Sequence, residues 1–318
     1  MYIKYKLLLL AIFGALNSNS QITITLRKTF IDSFKNKLTI GADYEIYFAH
    51  KHANPGNKDG DLHFAGFDKK IGLPIVAEIM NAKEFDNAVK TVHSFEGKGK
   101  PQSKVKLTGV WRLWCEHPGD IDAFVQGKFT QKKLTETIEN TNPPHVYEIH
   151  PITKIDTIGV LGSFHKISGF TYKSAADAFE RYSNLRCKII PKAKTITIET
   201  SGIGYNYVDF WVQLNDTGKI FSSDGLFVFC STFDSDFQPE PDDDGQDHLI
   251  SHKLRIAFVK GTDLYEKVKG MSKGDFLHVV GIPRINLALI SWRASHAKTQ
   301  PEALQWNLPV EMVAVGEL

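Results

Sequence analysis

The chain has 318 residues, of which 42% are hydrophobic, 11% aromatic and 23% charged. That composition is ordinary for a globular protein and excludes disorder, collagen and a small disulfide scaffold; at about 100–200 residues per domain, it points to two domains. The net charge is +2, and the first twenty residues hold Lys4 and Lys6 but no acid. Without them the chain is neutral and lacks the strong positive field of a dedicated duplex-DNA binder.

Lys4 and Lys6 precede an apolar run from Leu7 to Leu16, and Ser18 and Ser20 stand at −3 and −1 before Gln21. A charged start, a short apolar centre and small residues before a cleavage point read as a secretory signal peptide over 1–20, which implies a secreted or periplasmic protein. The apolar run is about half the roughly 20 residues that a membrane span needs. An uncleaved anchor is the alternative. No later segment is long and apolar enough to span a bilayer. Cys115, Cys187 and Cys230 are too far apart for a compact metal-ligand spacing. One disulfide is compatible with export, and buried small hydrophobes are the plainer reading.

Beyond the leader, the two halves share one order of elements. In the first, 38–50, 61–65 and 74–80 read as strands, 82–95 as a helix, and 105–114 and 146–155 as two more strands. In the second, 195–214, 226–233 and 254–259 read as strands, 263–268 as a helix, and 276–282 and 287–290 as the closing pair. A polar connection carrying a helix over 174–185 lies between. Val105-Lys-Leu-Thr-Gly-Val-Trp-Arg112 and Leu277-His-Val-Val-Gly-Ile-Pro-Arg284 share apolar, Gly and Arg positions just after each helix. Their glycines, Gly109 and Gly281, suit strands that bend sharply, as in a small barrel.

Five strands with a helix between the third and fourth is the order of an OB-fold, a partly open Greek-key barrel. The expected fold is therefore mainly β: two tandem OB-like five-stranded barrels joined by a helical linker. The boundaries are 1–20 for the signal peptide, 21–158 for the first barrel, 159–188 for the linker and 189–318 for the second barrel. In Asp59-Gly-Asp-Leu-His63, Glu148-Ile-His-Pro151 and Gly281-Ile-Pro-Arg284 the chain resembles uncharacterised exported bacterial proteins with OB-like modules. The resemblance implies the fold and brings no activity.

No nucleophile elbow, phosphate loop or zinc helix is present. One constellation stands out instead. Asp59, Asp61 and His63 share strand parity, as do Glu148 and His150, while Glu78 sits on the third strand. The second, third and fifth strands of an OB barrel are neighbours, so Asp61, His63, Glu78, Glu148 and His150 are expected to converge on one outer sheet face. Three uses fit them: a solvated face with cross-strand ion pairs, a ligand contact, or a divalent metal such as Zn²⁺ on Asp61, His63, Glu148 and His150 with a position open for water.

Tyr205, Tyr207 and Trp211 also share parity and are expected to form an outward platform on which bases or sugar rings stack, or a patch packed against the linker helix or the other barrel. The acidic stretch from Asp234 to Asp247 fails the calcium-loop template. Basic stretches over 98–106, 128–133 and 188–194 are scattered. The long connections 50–60 and 113–145 flank the binding face of an OB barrel, which favours the first barrel as the ligand carrier. The leading expectation is an exported, non-catalytic binding protein without a cofactor. Its ligand would be an oligosaccharide, single-stranded nucleic acid, peptide or protein. The alternatives are a metal-dependent hydrolase on the Asp61/His63/Glu78/Glu148/His150 face, and an interaction subunit with neither ligand nor chemistry.

Overall fold

Alternating apolar residues in each half form strands whose pairing closes on itself. A computed structural model describes residues 21–119, 123–128, 130–215, 218–239, 246–296 and 304–318. Residues 1–20, where a signal peptide is expected, and residues 240–245 of the acidic stretch lie outside the described residues.

β1 (Ile22–Arg27) and α1 (Lys28–Phe34) precede the first barrel. That barrel contains β2 (Thr39–Ala49), β3 (Leu62–Phe67), β4 (Pro74–Ile79), α2 (Asp86–Phe95), β5 (Val105–His117), β6 (Ala123–Val125), α3 (Gln131–Thr137), β7 (His145–Ile155) and β8 (Ile158–Gly159). The connection holds β9 (Lys173–Ser174), α4 (Ala175–Asn184), β10 (Arg186–Pro191) and β11 (Thr195–Thr200). The second barrel follows with β12 (Val208–Leu214), β13 (Ile220–Ser222), β14 (Gly225–Phe233), β15 (Leu249–Val259), α5 (Asp263–Gly270), β16 (Phe276–Ile285), α6 (Leu287–Ser295), β17 (Leu304–Asn307) and β18 (Val310–Glu317).

In the first barrel β2 pairs with β3, β3 with β4, β4 in parallel with β7, β7 with β5, and β5 back with β2. In the second the same circuit runs β12, β14, β15, β18, β16 and back to β12, with β15 and β18 parallel. Both circuits have the OB strand order, with α2 or α5 after the third strand. The fold is mainly β, with two tandem OB-like barrels and a connection that carries helix α4. Leu62, Phe64, Ala77, Ile79, Tyr147 and Ile149 fill the first interior; Val228, Ile256, Phe258 and Met312 occupy the matching positions in the second. The repeated glycines mark close approaches. A Cβ on Gly109 would stand 2.5 Å from Ile149 Cγ2, and one on Gly281 3.0 Å from the Phe210 ring, beside irregularities in strand register.

Two features depart from the sequence expectation. Residues 287–290 are the start of α6, not a strand: Asn286 caps it by accepting the Leu289 amide at 2.9 Å, and Leu287 and Ile290 bury one face. The fifth strand is β18 instead. The stretch 195–214 is also divided. Its first part, β11, belongs to a third sheet ordered β17-β10-β11-β1-β6, and only β12 enters the barrel. β6 and β17 lie in the long connections between the fourth and fifth strands of their barrels, so this sheet gathers both connections around β1, β10 and β11. Cys115, Cys187 and Cys230 are free and buried.

The barrels pack through an apolar layer: Leu38, Met80 and Val110 from the first, and Phe227, Ala257, Val259, Val280, Ile282, Val313 and Val315 from the second. Full burial of such side chains contributes about 1.5–3 kcal/mol each. Across this layer the repeated arginines reach into each other's barrel. Arg112 Nε donates to Pro283 O at 2.9 Å, and Arg284 Nη1 donates to Trp111 O at 3.1 Å. Each also meets a glutamate on its own fifth strand, Arg112 with Glu148 and Arg284 with Glu311. The two halves are thus related by an approximate two-fold exchange centred on the echoed Gly/Arg segments.

Candidate functional site

The outer face of β3, β4 and β7 carries the polar side chains, because the alternate residues of these strands point into the first barrel. The register sets His63 opposite Glu78 and Val76 beside Glu148. His63 Nε2 lies 3.3 Å from Glu78 Oε2; His150 Nδ1 lies 3.4 Å from that same oxygen and 3.6 Å from Glu148 Oε2; His150 Nε2 lies 3.4 Å from Asp61 Oδ2. All five residues named from parity converge.

The face is not solvated, however. The side chains of Asp61, Glu78, Glu148 and His150 are buried, and His63 retains 16% exposure at the edge. The cover comes from the second barrel. Tyr207, just ahead of β12, donates its hydroxyl to Asp61 Oδ2 at 2.5 Å and stands 2.9 Å from His150 Nε2. Phe164 and Ile167 of the connection join Tyr207 in the inter-barrel layer. This overturns an open ligand surface on that face: a chain-like ligand has no access to Asp61 or His150.

Arg112, Glu116 and His145 complete one end of the cluster. Arg112 is bound to Glu148 and reaches Glu116 at 3.3 Å, and His145 Nε2 lies 3.2 Å from Glu148 Oε1. At the other end Asp59 caps a short turn with φ of 93°. Its Oδ1 accepts Asn54 Nδ2 at 3.0 Å and the Asp61 amide at 3.1 Å. A left-handed backbone at a non-glycine residue costs on the order of 1–3 kcal/mol and persists only where its surroundings impose it. His50 stacks on His63 with ring centres 5.1 Å apart.

Burial and charge pull these groups in different directions. Burial alone would lower the His150 imidazole, yet Glu78, Asp61 and Glu148 outweigh it and push it up to about 10. His63 is likewise raised against burial by Glu78, Asp61 and Asp59. Burial lifts Glu78 to about 6, opposed by His150 and His63. For Glu148 burial acts upward, but Arg112 and the His145 and His150 contacts hold it well below the usual carboxylate range. Burial, then Asp61, keeps the Tyr207 phenol well above its ordinary value.

The aromatic platform does not assemble. Tyr205 and Tyr207 precede β12 with φ of 76° and 48°, off the regular strand. Tyr205 lies under Arg181 and Lys173, Tyr207 is buried on the first barrel, and Trp211 stacks on His278 at 4.4 Å. Parity arguments fail here because they hold only where the chain is extended.

A second concavity lies on the first barrel. It is about 520 Å³ and is lined by Glu45, Phe67, Lys69, Gly72, Lys104, Gly127, Lys128, Thr130 and Leu134. Lys104 and Lys128 come from two of the scattered basic stretches, and Lys104 Nζ is 3.2 Å from Glu45. Gly72, at φ 74°, brings its turn against Gly127, where a Cβ would meet a carbonyl oxygen at 2.7 Å. Sequence reasoning did not bring these lysines together; the fold does so by laying the connection between β5 and β7 against the turn after β3.

No family model matches the chain, and no curated protein matches it. Among solved structures it is similar to the crystal structure of fission yeast Pot1 with ssDNA, at 8% identity over 89% of this chain and 82% of that one, with a TM-score of 0.23. So slight a likeness carries no argument, and the barrel assignment rests on strand order. No described helix is long and apolar enough to cross a membrane.

Proposed function

We propose that this is an exported, non-catalytic binding protein whose first barrel holds an anionic chain in the groove between the turn after β3 and the connection from β5 to β7. The observation that carries this reading is that Lys69, Lys104 and Lys128 line one groove, above Phe67 and Leu134 of the core. Ammonium groups meet a charged backbone, which is the electrostatic part of single-strand binding. The described acids Asp234, Asp236 and Asp247 stand between β14 and β15 of the second barrel, which favours the first for an anion. Burial of Asp61, Glu78, Glu148 and His150 argues against the hydrolase alternative, since a substrate bond would have to reach groups that Tyr207 covers.

Fluorescence anisotropy with labelled oligo(dT) tests the ligand. Phosphate contacts from Lys69 and Lys128, with Lys104 held by Glu45, predict a log–log salt slope of about −1.4, and Lys69→Glu with Lys128→Glu should remove binding. Salt-independent binding, or binding that the double variant retains, overturns the reading. The export part is checked by mass spectrometry: a mature start at Gln21 supports it, and an intact Met1 in the cytosol contradicts it.

A further inference from the structure

The two barrels give a control for the polar cluster. Aligning them on Arg112 with Arg284 and Glu148 with Glu311, the strand registers place Asp61 opposite Gly225, His63 opposite Phe227, Glu78 opposite Ala257 and His150 opposite Val313. The second barrel therefore forms the same circuit and the same inter-barrel contact with a glycine and three apolar residues. Neither the fold nor the packing calls for four ionisable groups at these positions.

The cluster is also incomplete as a hydrogen-bond network. Asp61 Oδ1, His63 Nε2, Glu78 Oε2 and His150 Nδ1 are all buried without a hydrogen-bond partner. Buried polar atoms are normally satisfied, and those that are not call for an unseen ion or water. Arg112 is committed to Glu148. Asp59 accepts from Asn54 and the Asp61 amide, and Asp61 from Tyr207, while Glu78 meets the His63 and His150 imidazoles.

The positions of the donors suit a cation. Asp59, Asp61 and His63 each offer a donor atom within 4.8 Å of the others, and so do Asp61, Glu78 and His150, with Asp61 common to both sets. Bonds of about 2.0–2.1 Å in a tetrahedron put neighbouring donors about 3.3–3.4 Å apart, and His63 Nε2 stands 3.3 Å from Glu78 Oε2. We infer that the first barrel binds a divalent first-row transition ion on Asp61, His63 and Glu78, with Asp59 on the solvent side.

The surrounding residues have the roles such a site needs. Tyr207 and His150 hold Asp61 through Oδ2, which leaves Oδ1 to face the ion. His150 Nδ1 also lies 3.4 Å from Glu78 Oε2, and His50 stacks on the His63 ring. Outer partners of this kind fix ligand orientation. His63 and Asp59, the least buried members, mark the way in. Carboxylates with one imidazole suit zinc or manganese more than copper, which favours more nitrogen, or calcium, which favours oxygen alone. This site is separate from the lysine groove and stands whether or not the groove binds an anion.

Titration calorimetry of chelator-treated full-length protein at pH 7, with Zn²⁺ and with Mn²⁺, tests the site. The expected result is one equivalent of at least one ion, weakened at least tenfold by His63→Gln and by Glu78→Gln, with wild-type circular dichroism. His252→Gln, at an exposed histidine of the second barrel, should bind as wild type does. No saturable binding of either ion overturns the site, as does wild-type affinity in both cluster variants. The oligo(dT) experiment reads the other surface, so either reading can fail alone.

Discussion

The barrels differ least where they interlock and most beside that point. Arg112 with Glu148 and Arg284 with Glu311 are the same device used twice, each arginine donating to the other barrel's fourth strand. Two positions along the fifth strand the likeness ends: His150 faces Asp61 and Glu78, while its counterpart Val313 lies in an apolar layer with Phe227 and Ala257. Buried charge thus has two explanations in one molecule. The repeated pairs belong to the architecture, and the unrepeated cluster belongs to a site.

The largest expected effect tests the shared part. Arg112→Ala takes the arginine from buried Glu148 and should cost about 3–5 kcal/mol in urea denaturation; Arg284→Ala takes one of two from Glu311, which Arg255 still holds at 2.8 Å, and should cost about 1–3 kcal/mol. A loss below about 1 kcal/mol in either would end the claim that the pairs are equivalent. Next comes the unshared part. Giving the first barrel the second barrel's residues, Asp61→Gly, His63→Phe, Glu78→Ala and His150→Val, should leave metal-free stability unchanged or raise it by up to about 1–4 kcal/mol, as apolar replacement of buried ion sets does. A strongly destabilised product would make the cluster structural.

A smaller loss, about 1–3 kcal/mol, is expected from Tyr207→Phe, which strips a hydrogen bond from buried Asp61. The smallest effect concerns Asp224, which ties the barrels in the reverse direction: its Oδ2 accepts the Leu38 and Thr39 amides at 3.0 and 2.8 Å and the Thr39 hydroxyl at 2.8 Å. Burial pushes this carboxyl up, but the bonds from Thr39, Ser222 and Leu38 outweigh it and hold it below its ordinary value of 3.8. A lowered carboxyl contributes stability that is present above its unfolded value and lost as pH falls through the folded one. Thermal melts of Asp224→Asn should therefore show a shallower acid limb below about pH 4. An unchanged limb would mean the clamp is not titrating.

Much of this was legible in the sequence where the physics is local. Alternation located β2 to β5 and β7, and parity put the five site residues on one face, because side-chain direction in a strand depends only on position. Three things were not legible. β18 is buried on both sides, so Val310–Glu317 lacks the alternation that marks a strand. The third sheet pairs Ile24 with Ile198 and Ala123, a match no local pattern announces. The burial of the site depends on Tyr207, 146 residues after Asp61 in sequence. Arg112 was visible as half of a repeat, but the repeat spoke of fold, and its role beside Glu148 emerged only once β5 was laid against β7.

The most direct test of the difference between the barrels is anomalous diffraction from crystals grown with Zn²⁺ or Mn²⁺. One peak per chain is expected for the bound ion, within bonding distance of Asp61, His63 and Glu78, and none at Gly225, Phe227 and Ala257. A map with no peak in the first barrel, or with those carboxylates and imidazoles joined only to one another, would contradict it.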